Sequence, residues 1–356
     1  MKISRCFNIL RISIIFFICI GLLAPSFLYA QEEIDNQLDT LIQTGIDKVN
    51  KEEIDEALRA FQNIIDLDRE NPIGYFYTAA LYKALMQDYR TTVFNDKFDF
   101  YINEAIKKGE KLVKKDKEND LAYFYLGGAY GYRAIHKSEK GKWFGAFVDA
   151  ERGVNCLEKA LSLNPELYDA YYGLGVYKYW RSVKSQVLWF LPFFDDERQK
   201  GINEIQLAIA QGNYSRIEAK GALVTIYRNE QLYERALNLT DEILKEYPEN
   251  IYTIRTKGII LVELKRWNEA TEIFTRLLEQ TENRECKEPG AKMELEYYLA
   301  LIHYEQEKIY DNKKGYEKLT QLKEKLKEEA ENEILNEMLN KVAFSKKDMK
   351  QSDKEI

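Results

Sequence analysis

The sequence predicts an all-α solenoid of about seven antiparallel helix pairs, the three central pairs enlarged. Three observations lead there. Small residues recur at fixed distances, Ala236 and Ala270 being 34 residues apart. The segments 72–82, 120–130 and 168–178 align with Tyr75, Tyr123 and Tyr171 at intervals of 48. Finally, 45% hydrophobic and 13% aromatic residues over 356 positions can bury a core along most of the chain, while only six prolines imply short loops.

The chain opens with a targeting segment, residues 1–30. Lys2, Arg5 and Arg11 make a positive start, Ile12 to Leu23 is an apolar run, and Pro25 to Ala30 ends in Leu28-Tyr29-Ala30. Export to the periplasm or envelope with cleavage after Ala30 is expected. An uncleaved N-terminal membrane anchor is the alternative, although the run is shorter than the roughly 20 residues a span needs. Losing this segment removes three cations and no anions, which leaves 49 Lys+Arg against 59 Asp+Glu. Cys6 and Cys19 leave with it. Cys156 and Cys286, three repeats apart, are expected as free or buried thiols.

One solenoid over 31–344 follows, with repeats near 38–71, 72–119, 120–167, 168–216, 217–250, 251–284 and 293–328. In 217–250, Leu223, Tyr227, Ala236 and Pro248 occur in order, and Gly258, Leu261, Ala270 and Phe274 follow at the same phase. The first repeat has Gly45 and Ala57, twelve residues apart like Gly258 and Ala270, then Phe61 and Ile64. In the central repeats, Gly127 to Gly153 and Gly175 to Gly201 each span 26 residues instead of twelve, so a 14-residue enlargement separates the two small residues. Insertions at one point of each repeat project from one side of a solenoid. Here they carry Trp143, Phe144, Phe147, Trp189, Phe190, Phe193 and Phe194. Two readings stay open: longer helices whose aromatics pack on one another, or an exposed apolar edge. Past Pro289-Gly290, Tyr298, Leu299 and Ala300 mark the last first helix, and Tyr316, Leu319 and Leu322 its partner. A capping helix near 329–344, with Ile334, Met338, Leu339 and Val342 on one face, and a polar tail over 345–356 complete the chain.

Small residues at helix crossings, an aromatic or aliphatic residue one turn on and a proline at the repeat end resemble the tetratricopeptide repeat (TPR), as found in exported bacterial TPR proteins. The resemblance covers most of residues 35–330. It implies a right-handed superhelix whose concave groove is lined by the first helix of each pair, at its second, fifth, ninth and twelfth or thirteenth positions. Carried onto this chain, it implies partner-binding roles for Phe76, Lys83, Phe124, Tyr132, Tyr172, Tyr179, Trp180, Arg228, Tyr252 and Arg255. The Lys/Asn clamp of the superfamily's chaperone-tail binders is not evident at these positions, which argues against capture of a free C-terminal carboxylate.

Catalytic and metal signatures are missing from the sequence. There is no P-loop, dinucleotide fingerprint, GxSxG elbow or Cys-x-x-Cys. Two histidines, His136 and His303, give little scope for histidine chemistry, and His136 reads as solvated or packed. Asp195-Asp196-Glu197 precedes a helical run, where acids cap free N–H groups. A net charge of −7 argues against a broad nucleic-acid surface. The expectation is a non-enzymatic interaction scaffold of the envelope, without cofactor or metal, binding a peptide or helix in an aromatic groove. The alternative is a peripheral membrane component that docks through Trp143, Phe144, Trp189, Phe190, Phe193 and Phe194.

Overall fold

The computed structural model describes residues 33–185, 195–282, 289–307 and 321. The targeting segment, Trp189, Phe190, Phe193, Phe194, Cys286, the second helix of the last repeat, the capping helix and the tail lie outside the described residues. Every regular element among those described is an α-helix: α1 (33–50), α2 (Ile54–Leu67), α3 (Ile73–Asp88), α4 (Asn95–Lys115), α5 (Asp120–Glu139), α6 (Trp143–Leu163), α7 (Asp169–Ser185), α8 (Arg198–Gln211), α9 (Arg216–Asn229), α10 (Tyr233–Glu246), α11 (Ile251–Glu263), α12 (Trp267–Glu282) and α13 (Pro289–Glu307). Each packs mainly against its neighbours in sequence, which makes an all-α solenoid of helix pairs. α4, α5 and α6 run to 21, 20 and 21 residues, where α2, α9 and α10 have 14 each.

Glycine and alanine set how closely the paired helices approach. A Cβ on Gly175 would lie 2.5 Å from the Gly201 carbonyl oxygen, and one on Gly201 would lie 2.5 Å from that of Gly175. Gly127 and Gly153 face each other in the same way at 3.0 Å. In the shorter repeats the second helix supplies an aromatic ring instead: Gly45 sits on Phe61 and Gly258 on Phe274. Ala57, Ala236 and Ala270 are fully buried, as the repeat spacing requires.

The turn inside a pair is built the same way in five places. Glu52, Arg90, Gly141, Gln231 and Lys265 all have positive φ, between 49° and 66°. After α9, Leu232 N–H donates to the Tyr227 carbonyl and Gln231 N–H to that of Arg228, at 2.8 and 3.0 Å. Such a left-handed residue closes a helix by satisfying its last carbonyls. Only one of the five is glycine.

The array curls until its first helices meet its last. Arg90 donates two 2.8 Å hydrogen bonds to the Glu294 carboxylate, and Arg255 reaches the carbonyls of Asp88 and Gln87 at 2.8 and 3.1 Å. Asn250 donates to the Asn50 side chain at 3.2 Å, and the Glu52 carboxylate accepts the Ile251 N–H at 2.9 Å. Tyr214 donates to Asp39. Gly290 fits against the Arg90 carbonyl so tightly that a Cβ would come within 2.1 Å of it. These contacts join residues about two hundred positions apart, so the helix array closes on itself.

Candidate functional site: the inner aromatic wall

Helices α3, α5, α7, α9 and α11, the first of each pair, carry the positions expected to line a groove. Phe76 on α3, expected to face a partner, is buried in the core instead, its ring edge-on to Tyr125 and Tyr132 at centroid distances of 5.5 and 5.6 Å. Tyr132 and Tyr172 are half-buried and Tyr252 is exposed. Burial raises the phenol pKa of Tyr172, and the nearby Tyr132, Glu218 and Tyr252 oppose its ionisation further. Tyr132, Glu218 and Tyr252 are thus near enough to Tyr172 for their charges to act on it. Tyr252 lies over α9 at Gly221, where a Cβ would just touch its ring at 3.9 Å, and the Arg255 guanidinium sits 5.8 Å from the ring centroid.

Glu218 is the residue that the groove positions assigned from sequence omitted. It occupies the second position of the 217–250 repeat, and residues 218, 221, 225 and 228 share one face of α9 at helical spacing. Glu218 itself is exposed to the water on this side of α9, with the protein around it displacing part of that solvent. This desolvation, with Asp169 adding repulsion, pushes it up from 4.5 to about 7. Glu218 also opposes ionisation of Tyr77 and Tyr132. Asp169 is committed elsewhere: buried at the start of α7, it accepts the backbone N–H groups of Asn213, Tyr214 and Ser215 at 3.0, 3.0 and 2.7 Å and so fixes the turn that launches α9.

Besides Phe76, three of the groove residues expected from sequence are corrected. Tyr179 is 0% exposed; its hydroxyl donates to Glu230 and accepts from Asn229, both at 2.7 Å, because its ring points into the α7–α8–α9 seam. Lys83, 4% exposed, is turned from the groove by an ion pair with Glu139. Arg255, 3% exposed, is consumed by ring closure with Asp88 and Glu294. Phe124 and Trp180 are half-buried against the cores beside α6 and α8. Arg228, half-buried on the Glu218 face of α9, has a buried Nε without a hydrogen-bond partner.

The groups that might have supported chemistry are structural. His136 is buried rather than solvated, 4.4 Å from the Phe98 ring centroid; burial, reinforced by Lys140, Lys83 and Lys142, drives its pKa down to about 3. Asp149 is locked under Arg133 and Lys137 at 2.6 to 2.9 Å. Arg181 repeats the Arg133 arrangement 48 residues on, 3.9 Å from Glu197, which itself lies 48 residues past Asp149. Asp196 accepts the Arg198 backbone N–H at 3.0 Å where α8 starts, in keeping with a capping role. Burial pushes the Cys156 thiol up to about 11, so it is not a reactive thiolate. Among the described residues, no group of His, Cys, Asp and Glu is arranged to hold a metal ion.

No family model matches the chain, and no curated protein matches it. Solved structures do. A tetratricopeptide repeat protein from Parabacteroides merdae is 14% identical over 86% of this chain and 99% of its own, with a TM-score of 0.41. A thermophilic TPR protein from Thermus thermophilus is 17% identical over 63% of this chain and 99% of its own, at 0.40. The human IFIT1 dimer with m7Gppp-AAAA is 16% identical over 81% of this chain and 73% of its own, at 0.42.

Proposed function

We propose that this chain is a non-enzymatic scaffold of the bacterial cell envelope that holds an extended peptide or a helix of a partner protein against its inner aromatic wall. The observation that supports this is the row of aromatic side chains on the first helices, Phe76 with its ring 5.6 Å from Tyr132 and Tyr252 lying over α9 at Gly221, with Glu218 near enough to Tyr172 to act on its ionisation. Rigid aromatic side chains give large contact area at low entropy cost. An exposed carboxyl set among them favours a segment with a lysine, an arginine or several N–H donors, because such groups form charge-assisted hydrogen bonds with it. The same carboxyl repels phosphates, which favours a peptide over a nucleic acid.

The test uses a displayed library of random peptides and measures enrichment on the wild type and on Tyr172→Ala/Tyr252→Ala. Truncating two central aromatic anchors should lower the affinity of enriched peptides by at least about thirtyfold, with helical circular dichroism unchanged. Glu218→Gln should remove any preference for basic residues. Peptides that bind the double variant as well as the wild type would remove the groove from the account.

A further inference from the structure

Exposed apolar residues are concentrated at one edge of the array. Of the large hydrophobic side chains that face solvent, Val93, Phe100, Ile135, Trp143, Phe144 and Phe147 all lie near the turns that join α3 to α4 and α5 to α6. Trp143 is 63% exposed, Phe144 82% and Phe147 60%. They sit on the first two turns of α6, on the side away from the buried Ala146 and Asp149. The structure thus separates the two readings of the enlargement for these three rings: they do not pack on one another inside longer helices but stand in solvent.

Next to the three rings the flanking charges are basic, in a chain whose net charge is −7. Residues 135–147 hold Lys137, Lys140 and Lys142 against Glu139, while at the α7 end Arg181 is answered by Glu197 at 3.9 Å and Asp149, just beyond, is buried beneath Arg133 and Lys137. Lys184 from the end of α7 sits 5.4 Å over the Trp143 ring, which ties the α7 end of the edge to α6. Lys142, exposed next to Trp143, has no acidic partner among the described residues. The remaining acids here, Asp96, Asp99 and Glu139, lie on the α4 side, where Asp99 and Glu139 face His136 and the lysines Lys140 and Lys83.

We propose that this edge docks on an anionic lipid surface, Trp143, Phe144 and Phe147 entering the headgroup region while Lys142 and Lys184 meet the lipid phosphates. Aromatic rings flanked by lysines with no acidic partner among the described residues match the two halves of such an interface, apolar depth and negative charge. A second copy of the chain fits less well, since an isologous contact would set the same lysines against each other. No described helix is long and apolar enough to cross a membrane, so the contact is interfacial.

The full chain on vesicles of neutral lipid, with or without about one third phosphatidylglycerol and with brominated acyl chains, tests this. Residues 1–30 contain no tryptophan, so anchoring by that segment is invisible to the readout. The difference in emission between wild type and Trp143→Phe isolates Trp143. Its quenching should be at least about threefold stronger on anionic than on neutral vesicles, and Lys142→Gln/Lys184→Gln should abolish that preference. Trp143 left unquenched on vesicles that have bound the chain would overturn the proposal, as would quenching equal on both lipids. Sedimentation without lipid covers the other occupant: a dimer of the wild type that Phe144→Ser/Phe147→Ser dissolves would assign the edge to a second copy.

Discussion

Glu218 couples the inner wall to pH. Its folded-state pKa, about 7, lies above the 4.5 of a free glutamate, so between these values the folded chain holds a proton that the unfolded chain has lost. Its contribution to stability therefore falls as pH rises through that window and stays low above it. Glu218→Gln should remove this slope: the variant gains on the wild type from pH 5 to 8 in parallel urea titrations, and parallel curves would contradict the assignment. His136 pulls the other way, since a folded value of about 3 against 6.5 makes stability grow with pH over its own range in both proteins. The difference between the two chains isolates Glu218. The position was legible, because the groove rule that selects Arg228 and Tyr252 also selects position 218, but a lone glutamate among aromatics gave no sign of its perturbation. Tyr179 failed for another reason. One residue of helical register decides whether a ring faces the groove or the seam, and periodicity does not resolve a rotation that small.

At the scale of elements, helix pairing was legible because it rests on residue size at fixed spacing. Gly127, Gly153, Gly175 and Gly201 announce close crossings, and the structure puts each against a backbone carbonyl. Gly201→Leu should overpack the α7–α8 crossing and cost about 1–3 kcal/mol in chemical denaturation, since the atoms in its way are the Gly175 carbonyl and the Tyr179 backbone, which cannot swing aside. A denaturation midpoint equal to the wild type's would mean that these helices do not cross there. The turns were less legible. A left-handed residue ends α1, α3, α5, α9 and α11, yet Glu52, Arg90, Gln231 and Lys265 are not residues that advertise it. Helix ends set by tertiary packing leave no glycine to read. The enlarged region shows a similar division: the spacing of 48 was visible, whereas the exposure of Trp143, Phe144 and Phe147 depends on which face of α6 the neighbouring helices cover.

Closure belongs to the whole molecule. Repeat arrays are stabilised mainly by contacts between neighbours, and nothing in a local pattern says where a curved array ends. The closing contacts join Arg90 to Glu294, Arg255 to Asp88, Asn50 to Asn250 and Glu52 to Ile251, pairs of side chains and backbone groups with no spacing rule between them. Their role explains why Arg255 is not available to a partner, and it makes the inner wall a confined surface rather than an open trough. Glu294 is 3% exposed and meets both arginines, so the joint is held by charges that compensate one another out of water. The most direct measurement is an intramolecular cross-link. With Cys6, Cys19, Cys156 and Cys286 replaced by serine, Asn50→Cys and Asn250→Cys should be joined by a short bismaleimide within a monomer, faster than an Asn50→Cys/Glu158→Cys control that spans no closing contact. A link formed no faster than the control would show that the ends stand apart, and the confined aromatic wall would be lost with them.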